Sequence, residues 1–174
     1  GQKALPFELK STENKIISLD DIKGENGTLI MFICNHCPYV KVVTREILED
    51  CNELKKIGIN SVAICSNDFV NYPEDSFDNM IKFSNVNQFS FPYLHDETQE
   101  VAKSYDAVCT PDFFGYNKNL ELQYRGRLRE LKNFIPVKDG ESDLLKAMKQ
   151  IVETGNGPQD QIPSAGCGIK WKYD

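Results

Sequence analysis

The stretch from Thr28 to Cys65 leaves few folds open to this chain. Thr28-Leu29-Ile30-Met31-Phe32-Ile33 is a nearly unbroken apolar run, as a central strand buried on both faces requires. Beyond it Val40, Val43, Ile47, Cys51, Leu54 and Ile57 recur every three or four residues, and Gly58 stands where a helix would be capped. Asn60 to Cys65 then reads as a second buried strand. Strand, helix and strand in that order predict two parallel strands joined by a right-handed crossover.

The rest of the chain extends this unit. A weaker helix is expected around Asp75–Ser84, with Phe77, Met80 and Ile81 inward, and a short strand at Phe91–Leu94. Asp96 with Gln99 three residues later reads as a capping box opening a helix to about Tyr105. Asp112–Tyr116 and Leu120–Gly126 flank a turn at Asn117-Lys118-Asn119 and predict a hairpin. A last helix should run from Ser142 to Thr154, and Phe7–Leu9 with Lys15–Ser18 should pair as an N-terminal hairpin. The expected fold class is α/β, a three-layer α/β/α sandwich with a mixed central sheet. We place one domain at 1–155 and a C-terminal tail at 156–174, packed on or near it.

At 174 residues the chain can bury a full core without staples. Its six cysteines therefore read as one functional pair with four mostly buried or incidental thiols, which makes a reducing cytoplasm the default compartment and the periplasm the alternative. The net charge of −6 argues against nucleic acid or an anionic membrane as partner. No apolar run approaches the roughly 20 residues needed to span a bilayer.

Chemistry concentrates where the first buried strand meets the helix, at Cys34-Asn35-His36-Cys37-Pro38. Pro38 suits the first helical position, where its missing N–H costs nothing. Cys37 is then at or beside the N-cap, where unpaired N–H groups favour a thiolate, and a protonated His36 acts in the same direction. Cys34 is close enough for a Cys-x-x-Cys disulfide. Zinc held by Cys34, His36 and Cys37 would need a fourth ligand or an open position, and no second cysteine or histidine pair offers one. No metal or cofactor is expected.

A second element, Cys109-Thr110-Pro111, precedes the hairpin. With the Cys34–Cys37 turn and the element order, Thr110-Pro111 resembles the thioredoxin superfamily, over about residues 25 to 153. The resemblance implies a cis-proline at Pro111, after Thr110, packed against the active cysteine and facing substrate. The string Asn35-His36-Cys37-Pro38-Tyr39-Val40 and the tail Gly166-Cys167-Gly168-Ile169-Lys170-Trp171 are similar to the redoxin, or peroxiredoxin-like, branch. That branch implies thiol redox chemistry with no particular substrate.

The resemblance admits two registers. In one, Cys34 is the exposed nucleophile and Cys37 resolves it, although Ile33 and Asn35-His36 depart from the usual aromatic and proline. In the other, Cys37-Pro38 matches the peroxidatic Cys-Pro, with Cys34 where a threonine is usual. We read Cys37 as nucleophile, Cys34 as resolving partner and His36 as their helper. Cys167 is a possible accessory thiol, in cis or across a dimer. Cys51 and Cys65 read as core, and Cys109, two residues before Pro111, as a candidate to face the site. His95 reads as an exposed loop residue, Arg125 and Arg127 as solvated or anion-contacting, and Trp171 as an anchor for the tail.

The leading expectation is a thiol-disulfide oxidoreductase of antioxidant or thiol-repair character. It would act on protein or small-molecule disulfides with a cellular thiol reductant. The alternatives are a thiol peroxidase using Cys37, and a redox-inert or metal-binding interaction module.

Overall fold

The computed structural model describes residues 1–172; the last two residues of the tail lie outside it. In chain order the elements are β1 (Glu8–Ser11), β2 (Ile16–Ser18), α1 (Leu19–Ile22), β3 (Gly27–Phe32), α2 (Pro38–Lys41), α3 (Thr44–Lys56) and β4 (Ile59–Cys65). A 3-10 turn (Pro73–Asp75) leads to α4 (Phe77–Val86), β5 (Tyr93–His95), α5 (Glu100–Ser104), β6 (Cys109–Thr110), β7 (Asp112–Asn117) and β8 (Leu122–Gly126). The chain closes with β9 (Leu131–Lys132), β10 (Ile135–Pro136), α6 (Asp143–Thr154) and β11 (Cys167–Gly168).

Seven strands form one mixed sheet in the order β2-β1-β5-β4-β3-β7-β8. β3 runs parallel to β4 and β4 to β5, while β7 lies antiparallel to β3 and β8 to β7. The N-terminal hairpin joins the far edge through an antiparallel β1–β5 pairing. All six residues of β3 are buried because both faces are covered. Leu29, Met31 and Ile33 meet the side chains of α2, α3, α4 and α6, while Ile30 and Phe32 meet Leu19 and Ile22 of α1 and Ala102 of α5. This alternation, set by the two-residue period of a strand, builds the three layers. The architecture is the α/β sandwich expected from the sequence.

Two local expectations need correction. The helix anticipated from Val40 to Ile57 is broken. The Thr44 hydroxyl donates to the Val40 carbonyl at 2.8 Å, and the Val43 N–H also reaches that carbonyl, three residues back. The i→i+4 ladder is lost there, so α2 ends and α3 restarts at a kink. No capping box forms at α5 either. Gln99 is its N-cap in a left-handed conformation, with φ 68°, and Asp96 accepts from the N–H groups of Val101 and Ala102 instead.

The aperiodic tail is ordered by pairing that hydropathy does not reveal. The Arg127 N–H donates to Ile162 O, β11 pairs antiparallel with β6, and the Ile169 N–H donates to Val108 O. Gln99 then clamps its end, donating to Lys170 O and accepting from the Lys172 N–H. Trp171 packs against the apolar cluster under α5, as an anchor should.

Candidate active site

β3 delivers the chain directly into the Cys34–Cys37 turn, and a buried polar network fixes that turn. The Asn35 N–H donates to Asp75 Oδ1 at 2.8 Å, and its side chain donates to Glu74 O and accepts from the Tyr93 hydroxyl at 2.8 Å. Asp75 is fully buried; its other oxygen accepts from Asn67 Nδ2 at 2.8 Å and lies 2.7 Å from His36 Nδ1. The imidazole Nδ1 is not aligned for a directed hydrogen bond, so that contact is one of proximity. Nothing in the sequence marks Asp75, Asn67 and Tyr93 as site residues. Each is ordinary by itself, and only the fold brings them to the turn.

Cys37 is the N-cap of α2, with Pro38 at the first helical position, as the sequence implied. Its thiol is held far below the ordinary range, at about 4. The chief cause is a hydrogen bond from the neighbouring Cys34 thiol; burial opposes it, and the S–H and N–H of Cys167 reinforce it. Neighbouring thiols thus contribute more than the helix start does. Cys34 is driven strongly upward, first by that same hydrogen bond, then by burial and by the Asp75 charge.

Cys34 and Cys37 are only 1% and 0% exposed, so neither stands open as a nucleophile and burial does not separate the two registers. Thr110 closes over both cysteines. Its hydroxyl lies 3.5 Å from Cys34 Sγ, and its carbonyl accepts from Cys37 Sγ at 3.3 Å. The following peptide bond, to Pro111, is cis. Beside Pro111 a hollow of about 230 Å³ is lined by Tyr39, Val43, Phe113, Leu128 and Ile162 among others. A larger one, between Phe69, Phe77 and His95, is remote from the thiols.

Residues 1–131 match the family described as AhpC/TSA. The chain belongs to the AhpC/TSA family. No curated protein matches it. An uncharacterized conserved protein from Geobacillus kaustophilus is 45% identical over all of this chain and 93% of that one, with a TM-score of 0.93. A hypothetical protein from Sinorhizobium meliloti is 31% identical over 100% of this chain and 95% of that one, with a TM-score of 0.91. The thioredoxin domain of a thiol-disulfide oxidoreductase from Bacteroides vulgatus shares the fold at 17% identity, covering 87% and 96% of the two chains with a TM-score of 0.66. Family and fold together make this a thioredoxin-fold redox protein.

The remaining candidates of this AhpC/TSA protein divide clearly. Cys51 and Cys65 are core residues, each pushed up to about 12 by burial. Cys109 turns toward Pro111 O and Ser164 O, and burial raises it to about 11. His95 is not an exposed loop residue. It ends β5 between the rings of Phe69 and Phe77, and burial lowers its pKa. Arg125 and Arg127 are engaged within the chain, by Asp112 at 3.0 Å and Asp143 at 2.7 Å.

Cys34, His36 and Asp75 place a sulfur, a ring nitrogen and a carboxylate oxygen within 4.8 Å of one another, a set able to hold a metal ion. The carboxylate already serves Asn35 and Asn67, so a metal would have to compete with those bonds. Among the described residues no helix is long and apolar enough to cross a membrane.

Proposed function

We propose that this protein is a thiol-disulfide oxidoreductase in which Cys37 attacks and Cys34 resolves. The carrying observation is the placement of Cys37 at the N-cap of α2 with the Cys34 thiol beside it, an arrangement that lowers the Cys37 thiol and raises that of Cys34. The Cys37 thiolate attacks one sulfur of a substrate disulfide, and the other sulfur leaves as a thiolate that takes up a proton. Cys34 then loses its proton and attacks Cys37 Sγ. The substrate's remaining sulfur is expelled, and a Cys34–Cys37 disulfide is left. Two electrons pass to the substrate, and an external thiol reductant restores the pair.

His36 and Asp75 are the groups close enough to Cys34 to receive its proton, and the partly exposed His36 can pass it to water. Pro111 borders the hollow in which the substrate would lie, and Thr110 contacts both sulfurs. The variants separate the roles. Cys37→Ser should abolish reduction of a peptide disulfide, whereas Cys34→Ser should still form a mixed disulfide on Cys37 but no Cys34–Cys37 disulfide. Retained turnover in Cys37→Ser would exclude the assignment.

Family membership supports a second reading, a thiol peroxidase. Cys37 would attack a hydroperoxide oxygen, releasing the alcohol and forming a sulfenic acid that Cys34 condenses to a disulfide with loss of water. Rapid oxidation of Cys37 by peroxide in Cys34→Ser, without turnover of disulfides in the unaltered protein, would favour it.

A further inference from the structure

A second thiol, Cys167, lies on the strand paired with Thr110 and packs against the cluster that holds Cys37. In the β6–β11 ladder Cys167 is the register partner of Thr110, the residue whose carbonyl accepts from Cys37 Sγ at 3.3 Å. The close approach depends on its neighbour: a Cβ at Gly166 would stand 2.3 Å from Thr110 O, so only glycine lets the tail come this near.

Cys167 is held in place rather than dangling. The Ser164 hydroxyl donates to Pro111 O at 2.5 Å on one side of it, and the Ile169 and Lys170 N–H groups are bound on the other. It differs from the pair in one respect that matters: it is only half-buried, whereas Cys34 and Cys37 are sealed.

We infer that Cys167 is a second in-chain disulfide partner of Cys37, and that it carries the oxidised state from the buried pair to the surface. The step rests on the oxidoreductase reading above. The Cys167 thiol gives up its proton and its sulfur attacks Cys37 Sγ in the Cys34–Cys37 disulfide. The Cys34 sulfur leaves and is protonated, and the product is a Cys37–Cys167 disulfide with no net redox change. An external thiolate then attacks Cys167 Sγ, which has a solvent face. Cys37 leaves, favoured by its low proton affinity, and a second external thiol completes the reduction.

Oxidised glutathione is the probe, with disulfides mapped by peptide mass spectrometry. In Cys34→Ser, glutathione added to Cys37 should be displaced by Cys167 to give a Cys37–Cys167 disulfide. In Cys34→Ser with Cys167→Ser, the Cys37–glutathione adduct should persist. In the otherwise unaltered chain, Cys167→Ser should make reduction of the oxidised protein by glutathione roughly tenfold slower. Cys167→Ala, which keeps the β6–β11 backbone pairing, should behave the same way.

A persistent adduct in Cys34→Ser, or equal reduction rates with and without Cys167, would overturn the inference while leaving the oxidoreductase reading intact. No adduct on Cys37 in any variant would overturn both.

Discussion

The sulfur of Cys37 lies 3.3 Å from the carbonyl oxygen of Thr110. As a thiol Cys37 donates to that oxygen; as a thiolate it has no proton to donate and depends on the S–H groups of Cys34 and Cys167. Cys34, two residues past β3, and Cys167 of β11 in the aperiodic tail thus act on one sulfur.

That dependence predicts a titration. The Cys37 thiolate, followed by its ultraviolet absorbance, should appear with a midpoint near pH 4 in the reduced protein. In Cys34→Ala the midpoint should move up toward the free-thiol value of about 8.5. An unchanged midpoint would mean that Cys34 is not the chief cause.

The same shift makes stability depend on pH. The folded pKa of Cys37 is depressed, so its contribution is present in full above the unfolded value near 9 and is lost as pH falls toward 4. Cys34 is shifted the other way and withdraws stability only above about pH 9. Urea denaturation should therefore show the advantage of the reduced protein over Cys37→Ala growing from pH 4 to pH 9, and a flat difference would contradict it.

Asp75 should be structurally costly to remove. Asp75→Ala leaves the Asn35 N–H and the Asn67 amide without their acceptor in a buried site. Each such loss costs about 1–3 kcal/mol, which denaturant midpoints would register.

Sequence and structure part company at particular residues. β3, the Cys37 N-cap with Pro38 after it, and the inward face of α3 follow from local period and capping chemistry, so all were legible. The kink at Thr44 was not, because one hydroxyl decides it. Asp75 and Tyr93 reach the turn only through tertiary folding; Asp75 lies 40 positions from the Asn35 N–H it accepts. The tail was opaque for a related reason: its order rests on backbone pairing with β6 and on the contact made possible by Gly166, neither of which leaves a hydrophobic period.

Gly166→Ala gives that last point a test. A Cβ clashing with Thr110 O should lift β11, speed the exchange of the Ile169 N–H that donates to Val108 O, and speed alkylation of Cys37. Unchanged exchange and alkylation would show that the tail does not seal the site.

Arg129 forms a buried ion pair with Glu46, at 2.7 Å, and donates to Val137 O and Gly140 O. Arg129→Met strands the Glu46 carboxylate, a loss on the order of 3–5 kcal/mol. Lys138, 3.5 Å from the same carboxylate, should hold the cost toward the lower end, and thermal denaturation would measure it.

The most direct measurement is differential alkylation with mass spectrometry across a series of glutathione redox buffers. A reversible Cys34–Cys37 disulfide should form, with a potential roughly between −120 and −270 mV. If the two cysteines remain independently alkylated at every buffer ratio, the dithiol mechanism is wrong.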